Sequence, residues 1–226
     1  AQTGLADIAR AMVDDPRITA IGLYIEGIAD AQALADVAHL ARAAGKGIIA
    51  LKSGRSEAAQ VSAQSHTASL SGRAEVASAF FDRAGIGEVR NLPSLIDALL
   101  VLHVNGPLTA RRFVSVSCSG GEAGLMADAG EARGLEMPDL SDAAISTLQA
   151  VLGSDVALAN PLDYQTYIWG DEDKMGKVFA GAMDGMDAGF FVLDLPRDDR
   201  CDPSSFQPAL EAICTARAHT GKPVFA

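Results

Sequence analysis

The run Ile18-Thr19-Ala20-Ile21-Gly22-Leu23-Tyr24-Ile25 constrains the fold of this chain more than any other stretch. It is almost continuously apolar and rich in β-branched residues. A strand buried on both faces reads this way, whereas a half-exposed strand alternates. Gly47 to Leu51, Phe113 to Cys118 and Ala188 to Leu195 are further strands of the same kind. Between them lie segments of helical period. Leu5, Ile8, Ala9, Met12 and Val13 mark a helix from Gly4 to Asp14, which Asp15-Pro16 stops. Leu34, Val37 and Leu40 mark one from Ala31 to Ala44, closed by Gly45. Strands alternating with helices predict an α/β protein with parallel sheets flanked by helices.

The remaining elements follow the same pattern. A helix from Ala74 to Ala84 carries Val76, Phe80 and Phe81, and Glu88 to Asn91 is a short strand. Pro93 opens a helix expected to turn Leu95, Ile96, Leu99 and Leu100 inward. In the second half the expected helices run from Glu122 to Arg133, from Ser141 with Ile145, Leu148 and Val151 inward, from Asp171 to Gly185 and from Ser204 to His219. Val156 to Leu158 and Pro223 to Ala226 are expected as short strands.

Asn105-Gly106-Pro107 is the best linker candidate, giving domains 1–106 and 107–226. The halves repeat a helix, a strand, an acidic strand end, a helix and a Gly-Lys turn. The turn reads Gly45-Lys46-Gly47-Ile48-Ile49-Ala50 first and Gly221-Lys222-Pro223-Val224-Phe225-Ala226 second. The repeat is out of phase with the chain ends, so both domains are expected to be truncated, the first at its N-terminal side and the second at its C-terminal side.

Composition narrows the function classes. The net charge is −11, aromatics make up 5%, and no long basic run exists, so nucleic acid is not an expected partner. Cys118, Cys201 and Cys214 are too few and too scattered for a disulfide framework or a zinc site, and read as reduced thiols of a cytoplasmic protein. No metal site is expected, because His39, His103 and His219 lack ligand spacing. No apolar run is long enough to span a membrane.

Gln64-Ser65-His66-Thr67-Ala68-Ser69-Leu70-Ser71-Gly72 is the candidate chemical centre. Histidine is a neutral nucleophile near physiological pH, and a loop of small hydroxyl residues such as Ser65 and Thr67 offers hydroxyls and unhindered amides to a phosphoryl group. The plainer alternative is a solvated loop histidine. Glu26 ends the first buried strand, and the His66 loop follows the next one. Chemistry in open parallel sheets gathers at those carboxyl ends, and neighbouring strands lie about 5 Å apart. Glu26 is therefore either the partner that orients His66 or a solvated strand-end acid. Ser119-Gly120-Gly121 is either an anion cradle at a helix N-terminus or a tight turn, with Glu122 competing for the same dipole. Cys118 reads as a buried strand-end thiol. Asn160 and Asp163 either make an Asx turn or orient a substrate.

Leu23-Tyr24-Ile25-Glu26-Gly27, Leu51-Lys52-Ser53-Gly54-Arg55-Ser56, the Ser65–Gly72 loop, Ser119-Gly120-Gly121-Glu122-Ala123-Gly124 and Asn160-Pro161-Leu162-Asp163 occur in an order that resembles the nucleoside-diphosphate-forming acyl-CoA synthetases. These include ADP-forming acetate–CoA ligase and are relatives of succinyl-CoA synthetase. The resemblance covers nearly the whole chain and implies two flavodoxin-like, succinyl-CoA synthetase-like domains. It implies that His66 is transiently phosphorylated and that Glu26 steadies it. It implies a reversible ligase reaction in which an acid, CoA and a nucleoside triphosphate give acyl-CoA, diphosphate and phosphate by way of an acyl phosphate. A second-half phosphate helix is expected to start after Asp163. CoA, ATP or ADP and phosphate are then substrates. No cofactor is tightly bound, and Mg2+ belongs to an ATP-grasp domain that this sequence lacks, as it lacks the family's CoA-binding domain. The partners implied are the acid, CoA and those two domains, with a homo-oligomer as a further expectation, and the fragment alone should be inactive. Ala68 departs from the glycine that many members carry, and Asp194 to Arg200 has no assigned role. The alternative function is a non-catalytic phosphate- or CoA-binding module, or the regulatory module of a protein-lysine acyltransferase. In the acyltransferases the loop histidine is typically lost.

Overall fold

The computed structural model describes residues 3–56, residue 59 and residues 74–226. They form two compact units, Ala1–Leu108 and Thr109–Ala226, and each holds its own parallel sheet. No helix among the described residues is long and apolar enough to cross a membrane.

The first unit runs α1 (Leu5–Asp14), β1 (Ala20–Ile25), α2 (Ala31–Ala43), β2 (Gly47–Lys52), α3 (Ala74–Ala84), β3 (Gly87–Val89) and α4 (Leu92–Asn105). The sheet order is β1-β2-β3, with Ile25 opposite Lys52 at the carboxyl end of the first pair. Alternation along the strands sends Ile21, Leu23, Ile25, Ile48 and Ala50 to one face, where they share a core with residues of α1, α2 and α3. The other face carries Gly22 and Gly47. A Cβ on Gly22 would stand 2.8 Å from Leu99 Cδ1, and one on Gly47 2.6 Å from Leu102 Cδ1, so the missing side chains let α4 lie close on the sheet.

That seating corrects the expected inward face of α4. Leu95, Leu99 and Leu102 turn to the sheet, while Ile96 is 63% and Leu100 59% exposed. The helix is apolar on most sides, so its period alone did not select a face. The two sheet glycines did, by fixing where the helix can approach.

The second unit runs β4 (Phe113–Ser117), α5 (Gly120–Glu131), α6 (Asp142–Leu152), β5 (Leu162–Asp163), α7 (Glu172–Ala182), β6 (Ala188–Phe191), a 3-10 turn (Ser204–Phe206), α8 (Gln207–Thr220) and β7 (Val224–Phe225). The sheet order is β5-β4-β6-β7, all parallel, and β4 is buried along its whole length. From β4 the chain goes to β5 on one side and then to β6 on the other. The direction of winding therefore reverses between β4 and β6.

Two expectations change here. Val156 to Leu158 makes no strand, and the edge strand is the two-residue β5. The Asn160 side chain takes the place of the ladder beside β4. Its Oδ1 accepts from Ser115 N at 3.1 Å, and its Nδ2 donates to Phe113 O at 2.7 Å and Pro138 O at 2.9 Å. The following Asn160–Pro161 bond is cis. β6 ends at Phe191 rather than Leu195. Val192 N still donates to Val116 O at 2.9 Å, after which the chain leaves the sheet.

The internal repeat has a physical counterpart in each unit. Lys46 Nζ donates to Val13 O at 2.6 Å and Asp15 O at 2.7 Å, tying the turn before β2 to the C-terminus of α1. Lys222 Nζ donates to Met183 O at 2.8 Å, tying the turn before β7 to the C-terminus of α7. An ammonium at the carbonyl end of a helix meets the favourable end of its dipole.

Candidate functional site

At the carboxyl edge of the first sheet, Glu26 follows β1 and is exposed, while Lys52 ends β2. The backbone just before Glu26 is held by Ser53, at the end of the neighbouring strand. Ser53 N donates to Ile25 O at 3.0 Å, and Ser53 Oγ donates to the same oxygen at 3.4 Å. Lys52 is only 3% exposed and its Nζ donates to Ser53 O. Burial, then the Arg55 charge, pull its pKa below the usual lysine value, and Glu26 and Glu88 push it partly back. Arg55 pairs with Glu88 and donates to Ser78 Oγ at 3.2 Å. Two cations and two carboxylates thus meet at the ends of three adjacent strands. Ser65, His66 and Thr67 lie outside the described residues.

The second carboxyl edge is built differently. Ser119 is the N-cap of α5 and makes no side-chain cap bond, and its carbonyl accepts from Ala123 N at 3.0 Å. The N–H groups of the first turn, at Gly120 and Gly121, have no partner inside the helix. Carboxylates crowd the same place. Asp163 Oδ2 is 3.4 Å from where a Cβ on Gly120 would be, and Glu122 is in the first turn. Asp163 Oδ1 accepts from Gln165 N at 2.8 Å, an Asx turn that holds Gln165 at a φ of 57°. Glu122 and Asp163 therefore compete with any anion for these N–H groups. The Asn160 amide is bonded to backbone through both its oxygen and its nitrogen, which holds it beside β4. The helix expected to hold phosphate after Asp163 is α7. Asp171 caps it through Lys174 N at 3.1 Å, and Glu172 and Asp173 fill its first turn. These acids share its positive end with any anion that approaches there.

Between the loops after β4, β5 and β6 lies a cavity of about 470 Å3, lined by Cys118, Glu122, Thr166, Trp169, Val192, Leu193, Asp194 and Phe206. Trp169 and Phe206 meet edge to face, with centroids 5.1 Å apart. The Glu122 carboxyl lies within hydrogen-bonding reach of Asp194, so the two can share a proton. Burial, then the neighbouring Asp194 carboxylate, raise the Glu122 pKa, with Asp163 adding to the shift. Tyr164 is 1% exposed, its hydroxyl lies beside the Cys118 thiol, and burial, before its neighbours, pushes its pKa up. Cys118 is also shifted up, by burial and then by Glu122, so it is a neutral thiol and not an activated nucleophile. Sequence reasoning gave no role to Trp169, Tyr164 or Asp194. The signal was present in Asp194, an acid three residues past an apolar strand, but only the divergence of the chain after Phe191 puts it beside Glu122. Among the described residues no group of three or more His, Cys, Asp or Glu is arranged to hold a metal ion, and His39, His103 and His219 are exposed.

Two parallel-sheet units whose strand ends carry the charged residues define an α/β protein of flavodoxin type. Residues 1–102 match the succinyl-CoA ligase like flavodoxin domain. The chain is 31% identical over 164 residues to the acetate–CoA ligase (ADP-forming) II subunit alpha of Pyrococcus furiosus, covering 72% of this chain and 35% of that protein. It is 30% identical over 158 residues to the acetate–CoA ligase (ADP-forming) of Methanocaldococcus jannaschii, covering 70% and 22%. It is 28% identical over 199 residues to a trans-feruloyl-CoA synthase of an unknown prokaryotic organism, covering 88% and 28%. The fold is that of the dinucleotide forming acetyl-coenzyme A synthetase 1 of Ca. Korarchaeum cryptofilum, solved with phosphate and ADP. That match has a TM-score of 0.79 and 22% identity, over 98% of this chain and 47% of that one. The first unit belongs to the succinyl-CoA ligase like flavodoxin domain family, and the chain as a whole is a relative of the ADP-forming acetate–CoA ligases. It spans about a third or less of the length of these curated relatives and about half that of the solved structure.

Proposed function

We propose that this chain is the phosphoryl-carrying part of a nucleoside-diphosphate-forming acyl-CoA synthetase, an acid–thiol ligase. The observation that carries the reading is the register of β1 and β2. Ile25 stands opposite Lys52, so Glu26 sits beside the segment that leads through Lys52-Ser53-Gly54-Arg55 to Ser65-His66-Thr67. The likeness to the ADP-forming acetate–CoA ligases supports it.

In this reading the unprotonated ring nitrogen of His66 attacks the terminal phosphorus of the nucleoside triphosphate. A nitrogen–phosphorus bond forms as the diphosphate leaves with the bridging oxygen's electron pair. Glu26 accepts a hydrogen bond from the other ring nitrogen, fixing the tautomer and stabilising the positive ring. The substrate carboxylate then attacks phosphorus, the nitrogen–phosphorus bond breaks, and an acyl phosphate results. The CoA thiolate attacks its carbonyl carbon and releases phosphate. Lys52 and Arg55 supply positive potential at the strand ends that favours the incoming phosphoryl group. Nucleotide with its Mg2+ and CoA are held by other domains of the whole enzyme, so this chain alone does not complete the cycle. Such an enzyme works in the cytoplasm, where its substrates are made.

The test is to incubate the whole enzyme with γ-labelled ATP and look for acid-labile, base-stable label. The wild type is expected to label, His66→Ala to lose the label, and Glu26→Gln to label about 100-fold more slowly or worse. Labelling of His66→Ala at the parent level removes the nucleophile from the scheme. An unchanged rate in Glu26→Gln removes the orienting role.

A further inference from the structure

Arg55 lies where the chain leaves the first sheet for the stretch that carries His66. β2 ends at Lys52, and Gly54 turns the chain at a φ of 68°, in the left-handed region that glycine adopts freely. The next side chain then reaches two other elements. Arg55 Nη1 pairs with Glu88 Oε1 of β3, and Arg55 Nη2 donates to Ser78 Oγ of α3 at 3.2 Å. Ser78 Oγ in turn donates to Ala74 O, the first residue of α3, at 3.0 Å. One guanidinium thus joins the end of β2, the strand β3 and the start of α3.

These contacts close long separations in sequence. Arg55 is 23 residues from Ser78 and 33 from Glu88, and His66 falls between Arg55 and Ser78. Both flanks of the His66 stretch are therefore tied to the same group. Holding the ends of a long segment removes freedom that must otherwise be lost when reacting groups come into line. The Arg55 side chain is 28% and the Glu88 side chain 14% exposed, so their pair is better sheltered than a surface ion pair. Arg90, the other cation near Glu88, is exposed and stands 3.8 Å away.

Charge alone does not account for the arrangement. Lys52 and Arg55 raise the positive potential at this edge, yet Glu88 pairs with Arg55 and also acts on Lys52, which offsets part of it. Attraction of a phosphoryl group would be stronger without that carboxylate. A lysine would supply the same charge as Arg55. A guanidinium offers several donors in one rigid plane, and here they go to two different elements.

We propose that Arg55 is a positioning residue. Held by Glu88 and Ser78, it fastens the two flanks of the His66 stretch and so fixes the points between which the histidine is presented. The proposal rests on the reading of His66 as the phosphoryl carrier.

The test is the rate at which the whole enzyme takes label from saturating γ-labelled ATP. Arg55→Ala is expected to slow it about 100-fold, and Arg55→Lys and Glu88→Gln about tenfold each. Glu88→Gln decides between position and charge, because removing an acid makes the edge more positive. A role through charge alone predicts that Glu88→Gln labels as fast as the parent or faster, and that Arg55→Lys labels like the parent. Either result overturns the proposal. In the double variant Arg55→Ala with Glu88→Gln the loss is expected to match that of Arg55→Ala, since both changes release the same tie; losses that multiply also overturn it. Far-UV circular dichroism and the thermal midpoint are followed throughout, and Arg55→Lys and Glu88→Gln carry the test if Arg55→Ala folds poorly. Label that persists in His66→Ala removes the reading of His66 and this proposal together. Label that needs His66 but is indifferent to Glu88→Gln removes this proposal alone.

Discussion

Glu122 is the residue at which position and chemistry pull hardest against each other. Its place in the first turn of α5 favours a negative charge. Burial and the Asp194 carboxylate disfavour one, and these prevail, since its pKa lies above the usual glutamate value. A carboxyl whose pKa is raised by folding contributes stability that is complete below its unfolded pKa and is lost as pH rises through its folded one. Glu122→Gln keeps the shape and removes the charge. It is therefore expected to be more stable than the parent at pH 7, with the gain shrinking to nothing as pH falls below the ordinary glutamate range. Urea unfolding of both proteins across that range checks this, and a gain that persists at low pH would assign the effect to packing. Lys52 presents the same conflict in the other sign. It is a buried ammonium held among Glu26, Arg55 and Glu88, and its depressed pKa records the desolvation that its position demands.

At the scale of elements, the seating of α4 shows how much a missing atom decides. Gly22 and Gly47 clear one face of the first sheet, and Leu99 and Leu102 fill the clearings. Gly22→Ala would press a methyl group against Leu99, the flexible end of a side chain, and is expected to lower stability by about 1–3 kcal/mol. Leu99→Ala alone should cost about 2–5 kcal/mol. In the double variant the new methyl occupies part of the space vacated by Leu99, so the combined loss is expected to fall short of the sum by about 0.5 kcal/mol or more. Denaturant titration of the four proteins closes the cycle. Strict additivity would mean that α4 does not seat through this pair. In the second unit the comparable device is Asn160, whose amide replaces a stretch of strand and lets β5 be only two residues long.

At the scale of the whole molecule, each unit repeats one plan, a helix, a strand, a helix and a Gly-Lys turn whose lysine reaches back to the carbonyls of the first helix. Each also closes its own core. Val114 and Val116 of β4, Leu148, Met175, Val178, Phe179 and Ile213 belong to a buried cluster made entirely of second-unit residues. Residues 109–226 expressed alone are therefore expected to unfold in one cooperative transition, and Phe179→Ala within them to cost about 3–5 kcal/mol. Circular dichroism during thermal unfolding checks both. A broad, non-cooperative loss of signal would show that the cluster does not suffice to hold this unit.

The sequence by itself determined the class of fold and most of its order. Apolar, β-branched runs such as Ile18 to Ile25 specify buried parallel strands because only burial on both faces tolerates them. The Gly-Lys repeat was legible for the same reason, since turn chemistry is local. The strand-end motif around Glu26 and Lys52 was also legible, because strand order alone brings successive carboxyl ends to one edge. Tertiary structure decided the rest. The inward face of α4 depended on two glycines far away in the chain. The loss of the Val156–Leu158 strand depended on one amide finding the edge of β4. The cavity joined Glu122 from the first turn of α5, Trp169 from the segment after β5 and Asp194 from the segment after β6. Such juxtapositions follow from long-range packing, and no local period or spacing records which distant side chains will share a space.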